Sequence, residues 1–173
     1  KIQDQLDIIS NKIKINNFLK DYFENGSFPK VVLKENKKEI LLAYFNDLLE
    51  KDLIKRYKIR KEEKLKEVLK FYFSNNSSLI TFNSLEKSFE ISADTIEKFS
   101  GYFENIYLLF FLKRFSFKVK EQEKSPRKVY GLDTGLINVI GFKFSQNLGR
   151  IAENIVFLKF LREKSQNSNL EIF

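Results

Sequence analysis

The sequence predicts a mainly α protein with a small β component, an α+β fold. Three observations carry that expectation. Apolar residues recur at helical spacing along most of the chain. One stretch, Phe111 to Val119, alternates with period two. A short apolar run, KVYGL at 128–132, then follows across a polar connection. With 43% hydrophobic residues and 19 Phe in 173 positions, the chain has the apolar mass for a buried core and too much of it for disorder.

The elements follow in order. Ile2, Leu6, Ile9, Ile13, Phe18, Tyr22 and Phe23 make the stripe of a first helix that stops at Asn25-Gly26. Ser27-Phe28-Pro29 reads as a turn. Residues 38–57 are amphipathic through Ile40, Leu41, Tyr44, Phe45, Leu48, Leu49 and Leu53. A helix over about 62–74 presents Leu65, Val68, Leu69 and Phe73, and Asn75-Asn76-Ser77-Ser78 breaks it. Asn83 caps a short helix through Leu85 and Phe89. Ser92 caps the next, which bears Ile96, Phe99, Phe103 and Ile106, with Glu90-Ile91 as the turn between them.

The grain then changes. Phe111, Phe115, Phe117 and Val119 alternate with Leu112, Arg114, Ser116 and Lys118 as a strand. The polar tip 121–127 leads back into KVYGL. Helices followed by a hairpin in this order describe a winged helix-turn-helix, expected over 62–142. Residues 149–163 read as a long helix with Ile151, Ile155, Leu158 and Leu161 inward. Leu170-Glu171-Ile172-Phe173 reads as a strand.

Within VYGLDTGL at 129–136, Asp133-Thr134-Gly135 matches the catalytic triplet of aspartic proteases. That chemistry needs two carboxylates sharing a proton, hence two triplets or a symmetric dimer of a small β chain. A single triplet in a helical sequence argues against it. Asp133 is instead read as a structural cap for a helix starting at Leu136, with Gly135 easing the bend.

Composition narrows the chemistry. The chain has no Cys and no His, which removes disulfides, thiolate nucleophiles, Ser-His-Asp arrangements and zinc sites. No apolar run approaches a membrane span and no signal peptide opens the sequence, so the expectation is a cytoplasmic protein without a membrane partner. The want of Met reads as an internal fragment.

Net charge is +8, which favours a polyanionic partner. Lys113, Arg114, Lys118, Lys120, Lys124, Arg127 and Lys128 face only Glu121 and Glu123 over 113–128. A second basic run, 55–70, includes Arg56 and Arg60. Together these are the candidate nucleic-acid contacts, giving a phosphate track for double-stranded DNA or else a solvated Lys-rich surface. The second helix of the turn exposes Asp94, Glu97, Lys98 and Glu104, a poor surface for sequence readout.

Five motifs in register, YFENGSFPKVV, YFNDLLEKDLIKRYKIR, ISADTIEKFSGYFENIYLLFFL, VYGLDTGL and GRIAENIVFLKFL, resemble a large group of prokaryotic AAA-superfamily ATP-binding proteins. The C-terminal region of that group is catalogued as a domain of unknown function. The resemblance covers roughly residues 22–173, with Ser27 standing where the group commonly repeats glycine. It implies a helical lid over 1–61, a winged helix over 62–142, and the start of a domain resembling PD-(D/E)XK nucleases over 143–173. It also implies an N-terminal ATPase module of the same parent protein, using ATP and Mg. No glycine here is followed by Lys, so this chain has no P-loop and carries no cofactor of its own. Glu153 resembles the helix glutamate that helps hold a divalent metal in such nucleases, with co-ligands expected beyond Phe173. Its alternative is an exposed glutamate or a pair with Arg150 or Lys159. No catalytic activity is expected of this chain. Its function is then nucleic-acid engagement by a basic wing, or protein docking between the ATPase and a nuclease-like domain or partner.

Overall fold

The computed structural model describes residues 2–142, 147–167 and 169–173, and in the first helix the side chains at residue 7 and from residue 9 onward. Ile2 and Leu6 of the expected stripe lie outside the described side chains. The fold is mainly helical with a small antiparallel sheet, as its periodicities predict.

Helix α1 (Ile2–Asn25) ends at Gly26, whose φ of +79° suits glycine and breaks the helix. Pro29 then opens a short helix, α2 (Pro29–Leu33), where only a turn was expected. Proline is well placed there because its fixed φ suits a first helical position and its missing N–H has no intrahelical acceptor anyway. Helix α3 (Lys37–Asp47) continues into a π-helical segment, Leu48–Lys55. The wider turn brings Leu49, Leu53 and Ile54 together on the buried side.

Helix α4 (Glu62–Ser74) is followed by β1 (Leu79–Ile80), α5 (Phe82–Phe89), α6 (Ala93–Asn105), β2 (Leu109–Leu112), α7 (Val119–Lys124) and β3 (Arg127–Gly131). Ser92 caps α6, its hydroxyl accepting from the Thr95 N–H. Thr81, not Asn83, caps α5, because the helix begins at Phe82 and the Thr81 hydroxyl reaches the Ser84 N–H. Glu90 adopts the left-handed conformation that turns α5 into α6.

Strand β3 lies between β1 and β2. Its register pairs Leu79 with Lys128 on one side and Leu109 with Gly131 on the other. The expected strand through Phe115, Phe117 and Val119 does not form. Pairing ends at Leu112 opposite Lys128. Pro126, just before β3, has no N–H to extend the ladder. The connection instead contains α7, with Glu121 in its first turn and Lys124 in its last, the arrangement that suits the helix dipole.

Beyond β3 come α8 (Thr134–Ile140) and α9 (Leu148–Gln166). The expected strand at Leu170–Phe173 is irregular chain, although Ile172 packs beside Tyr130, Phe157 and Leu158. One buried cluster runs from Val31 through Leu65, Phe103 and Leu109 to Ile151, drawing on residues either side of 61 and 62. The segment 143–146, where a nuclease-like region was expected to start, lies outside the described residues. No described helix is long and apolar enough to cross a membrane.

Candidate nucleic-acid interface

The segment expected to form the wing connects β2 to β3, and its cations do not share one fate. Lys113 bonds Glu123 at 2.6 Å, and Lys118 bonds Glu121 at 3.0 Å while its side chain stays 78% exposed. Arg127, only 16% exposed, sits between Glu97 at 3.7 Å and Glu123 at 3.5 Å, with its guanidinium over the Phe82 ring. Lys128 is bonded to Glu153 at 2.7 Å. Lys113, Arg127 and Lys128 thus each have a carboxylate partner within the chain. Arg114, Lys120 and Lys124 are exposed and form no ion pair among the described residues.

Around them stand apolar side chains that the alternating pattern had placed on a buried strand face. Phe115 is half exposed, Phe117 is 94% exposed, and Val119 is exposed at the start of α7. Phe115 meets Phe117 edge to face at 4.9 Å and is backed by Phe173 at 5.0 Å.

The second basic run lies elsewhere. Arg56 and Arg60 are exposed, with Arg56 over the Tyr57 ring, and Tyr57 stacks on Tyr102 of α6 at 3.9 Å. Glu97, the α6 residue facing the wing, is five positions before Tyr102, about 140° away around a helix. Tyr57 and Arg127, one residue from each basic run, therefore meet α6 on different sides. Helix α6 itself exposes Asp94, Glu97 and Glu104, and Glu104 accepts the Phe111 N–H. Burial raises the Glu104 carboxyl above its usual value, against that bond and the charges of Arg127 and Lys113.

Glu153 pairs with neither Arg150 nor Lys159. Its Oε1 accepts from Lys128 and, at 2.8 Å, from the Tyr130 hydroxyl, both on β3. Burial pushes its carboxyl up, but these bonds and the charges of Lys128 and Arg150 outweigh that and hold it below the usual range. The same partner and burial raise the Tyr130 hydroxyl. Among the described residues no group of three acidic side chains could hold a metal, and Glu153 is committed to a lysine and a tyrosine. The residues present do not fit a metal site.

Behind Glu153, α9 is seated on the sheet by groups that sequence reading had passed over. Asn154 is fully buried, its Oδ1 accepting from the Gly131 N–H at 2.9 Å and its amide donating to the Gly131 carbonyl at 3.0 Å. Asn76 also accepts that N–H, and Ser77 donates to the Arg150 carbonyl at 2.9 Å. Tyr130 and Phe157 stack at 4.0 Å. The face of β2 carrying Phe110 and Leu112 is thus covered by α9.

Asp133 caps α8, with Oδ1 accepting from the N–H groups of Gly135 and Leu136. Oδ2 accepts from the Ser27 N–H at 2.7 Å. Thr134 and Asn138 donate to the Tyr22, Phe23 and Glu24 carbonyls at the end of α1. A Cβ at Gly135 would strike the Asn25 carbonyl, so glycine here permits close approach of two backbones. The triplet joins α1 to α8, and its carboxylate is spent on backbone donors. A cleft of about 940 Å³ lies between α1, α8 and α9 and shares no lining residue with the segment joining β2 to β3.

Helices packed about a small three-stranded antiparallel sheet define an α+β fold. The chain belongs to the family described as Domain of unknown function (DUF8612), matched over residues 16–147. It is 36% identical over 168 residues to an uncharacterized protein of Methanocaldococcus jannaschii, covering 92% of this chain and 37% of that protein. It is 30% identical over 150 residues to an uncharacterized protein of Haemophilus influenzae, covering 82% of this chain and 37% of that one. The chain thus spans a little over a third of the length of these relatives. No solved structure matches it.

Proposed function

We propose that this chain is the lid and winged-helix portion of a larger AAA-superfamily ATP-binding protein, and that its wing holds nucleic acid without reading sequence. The observation that carries the reading is the connection between β2 and β3, where Arg114, Lys120 and Lys124 stand exposed and form no ion pair among the described residues. Lys118 adds a fourth cation, since an exposed lysine–glutamate pair holds its charge weakly. The order α4, β1, α5, α6, β2, β3, with the short α7 inserted between the last two strands, resembles that of a winged helix and supports the module. The greater length of the relatives leaves room for an ATPase module.

Binding of a labelled mixed-sequence duplex, followed by fluorescence anisotropy, should be weak and fall steeply with salt, by about 0.9 log units per log unit of salt for each phosphate contacted. Replacing Arg114, Lys120 and Lys124 with alanine should flatten that slope. Asp94→Ala with Glu97→Ala should leave affinity equal or higher, because Glu97 also holds Arg127. No binding at low salt would sink the reading.

A second reading, protein docking, is favoured by α9 on the sheet. The Asn154 bonds and the Tyr130–Phe157 stack are the contacts expected if the winged helix serves as a seat for the segment that follows it.

A further inference from the structure

We propose that the wing tip is a platform for unpaired bases, so that the nucleic acid held there is single-stranded. The proposal rests on the reading of the wing as a phosphate-binding element and adds what lies between the phosphates. Phe117 is more exposed than any other large apolar side chain described. An aromatic ring left in water forgoes the burial that ordinarily stabilises it. Phe117 is nevertheless held in place, because Phe115 meets it edge to face and Phe173 backs Phe115. Arg114 and Lys120 lie three residues to either side of it in the sequence.

An exposed ring with cations three residues to either side along the chain suits a ligand that offers both phosphates and open π-faces. Duplex DNA offers the first and keeps its bases stacked inside. A single strand offers both, and every base presents a face, so such a platform selects base exposure and not base identity. The main alternative mode for a winged helix is closed by charge. Asp94, Glu97 and Glu104 on α6 would meet the phosphates flanking a major groove. Phe117 and Val119 alone are also a small apolar footprint for a bilayer.

The test uses the full chain with a labelled mixed-sequence single strand and with the same strand in a blunt duplex. The single strand should bind more tightly. Phe117→Ala should weaken single-strand binding about tenfold, while duplex binding and the salt slope stay unchanged. An unchanged denaturation midpoint will show that this exposed position does not disturb the fold. The chain has no Trp, so Phe117→Trp places the sole indole at the tip, and its emission should be quenched as the single strand binds. Equal affinity for strand and duplex, with Phe117→Ala neutral, overturns the platform and leaves the phosphate-binding wing standing. No binding of either at low salt overturns both. Loss in the alanine variant of binding to phosphatidylcholine–phosphatidylserine vesicles, but not to the strand, overturns the platform in favour of a membrane contact.

Discussion

Asp133 divides one carboxylate between two backbones. Because Oδ2 accepts from Ser27 while Oδ1 caps α8, an amide cannot replace it without loss. Asparagine would keep one acceptor and turn an NH2 group toward the other N–H. The sequence alone suggested a near-neutral Asp133→Asn. The structure changes that expectation to a cost of about 1–3 kcal/mol, and of about 2–4 kcal/mol for Asp133→Ala, which orphans buried donors on both sides. Chemical denaturation measures both, and an Asn variant as stable as wild type would refute the shared-carboxylate account. Burial raises the Asp133 carboxyl above 3.8 despite the bonds from Ser27, Leu136 and Gly135. The native state therefore takes up this proton more readily than the unfolded chain does. The stability it contributes is fully present below pH 3.8 and declines as pH rises through the native value. Comparing wild type and the Asn variant over that window should show this downward slope in wild type alone.

At the scale of elements, the seating of α9 turns on Asn154. Asn154→Ala leaves the Gly131 carbonyl without its donor, whereas the Gly131 N–H keeps Asn76, so a cost of about 1–3 kcal/mol is expected. Asn154→Asp should be at least as damaging, because it sets a carboxylate oxygen against that carbonyl. Hydrogen exchange along α9 and β3 reports the loosening, and unchanged protection in both variants would show that apolar packing alone seats the helix. Most helices were legible because each carries its own apolar period. The segment joining β2 to β3 was not. Phe115, Phe117 and Val119 alternate as a strand does, yet a strand needs a partner, and Pro126 denies it one. The outer sheet face shows a related limit. Alternation marks which residues share a face, and α9, remote in sequence, decides which face is wet.

For the whole molecule, a net charge of +8 overstates what a polyanion would meet. Lys113, Arg127 and Lys128 face internal carboxylates, and Tyr57 and Arg127, one residue from each basic run, meet α6 on different sides. The purified chain is expected to show neither ATP hydrolysis nor metal-dependent nuclease activity, since it lacks a phosphate-cradling loop and Glu153 is held by Lys128 and Tyr130. Magnesium-dependent cleavage of DNA, abolished by Glu153→Ala, would show that the clasp opens into a metal site.

The sequence by itself determined the α+β class, the longer helices, and the caps at Ser92 and Asp133, because these depend on period and on short-range hydrogen bonding. Tertiary structure alone decided the partner of Glu153, the second duty of Asp133, the π-helical end of α3, and which cations between β2 and β3 stay open to a ligand. Those outcomes join residues far apart in the chain. Charge and hydrogen-bonding capacity are written in each residue, but the partner that satisfies them is chosen by the fold.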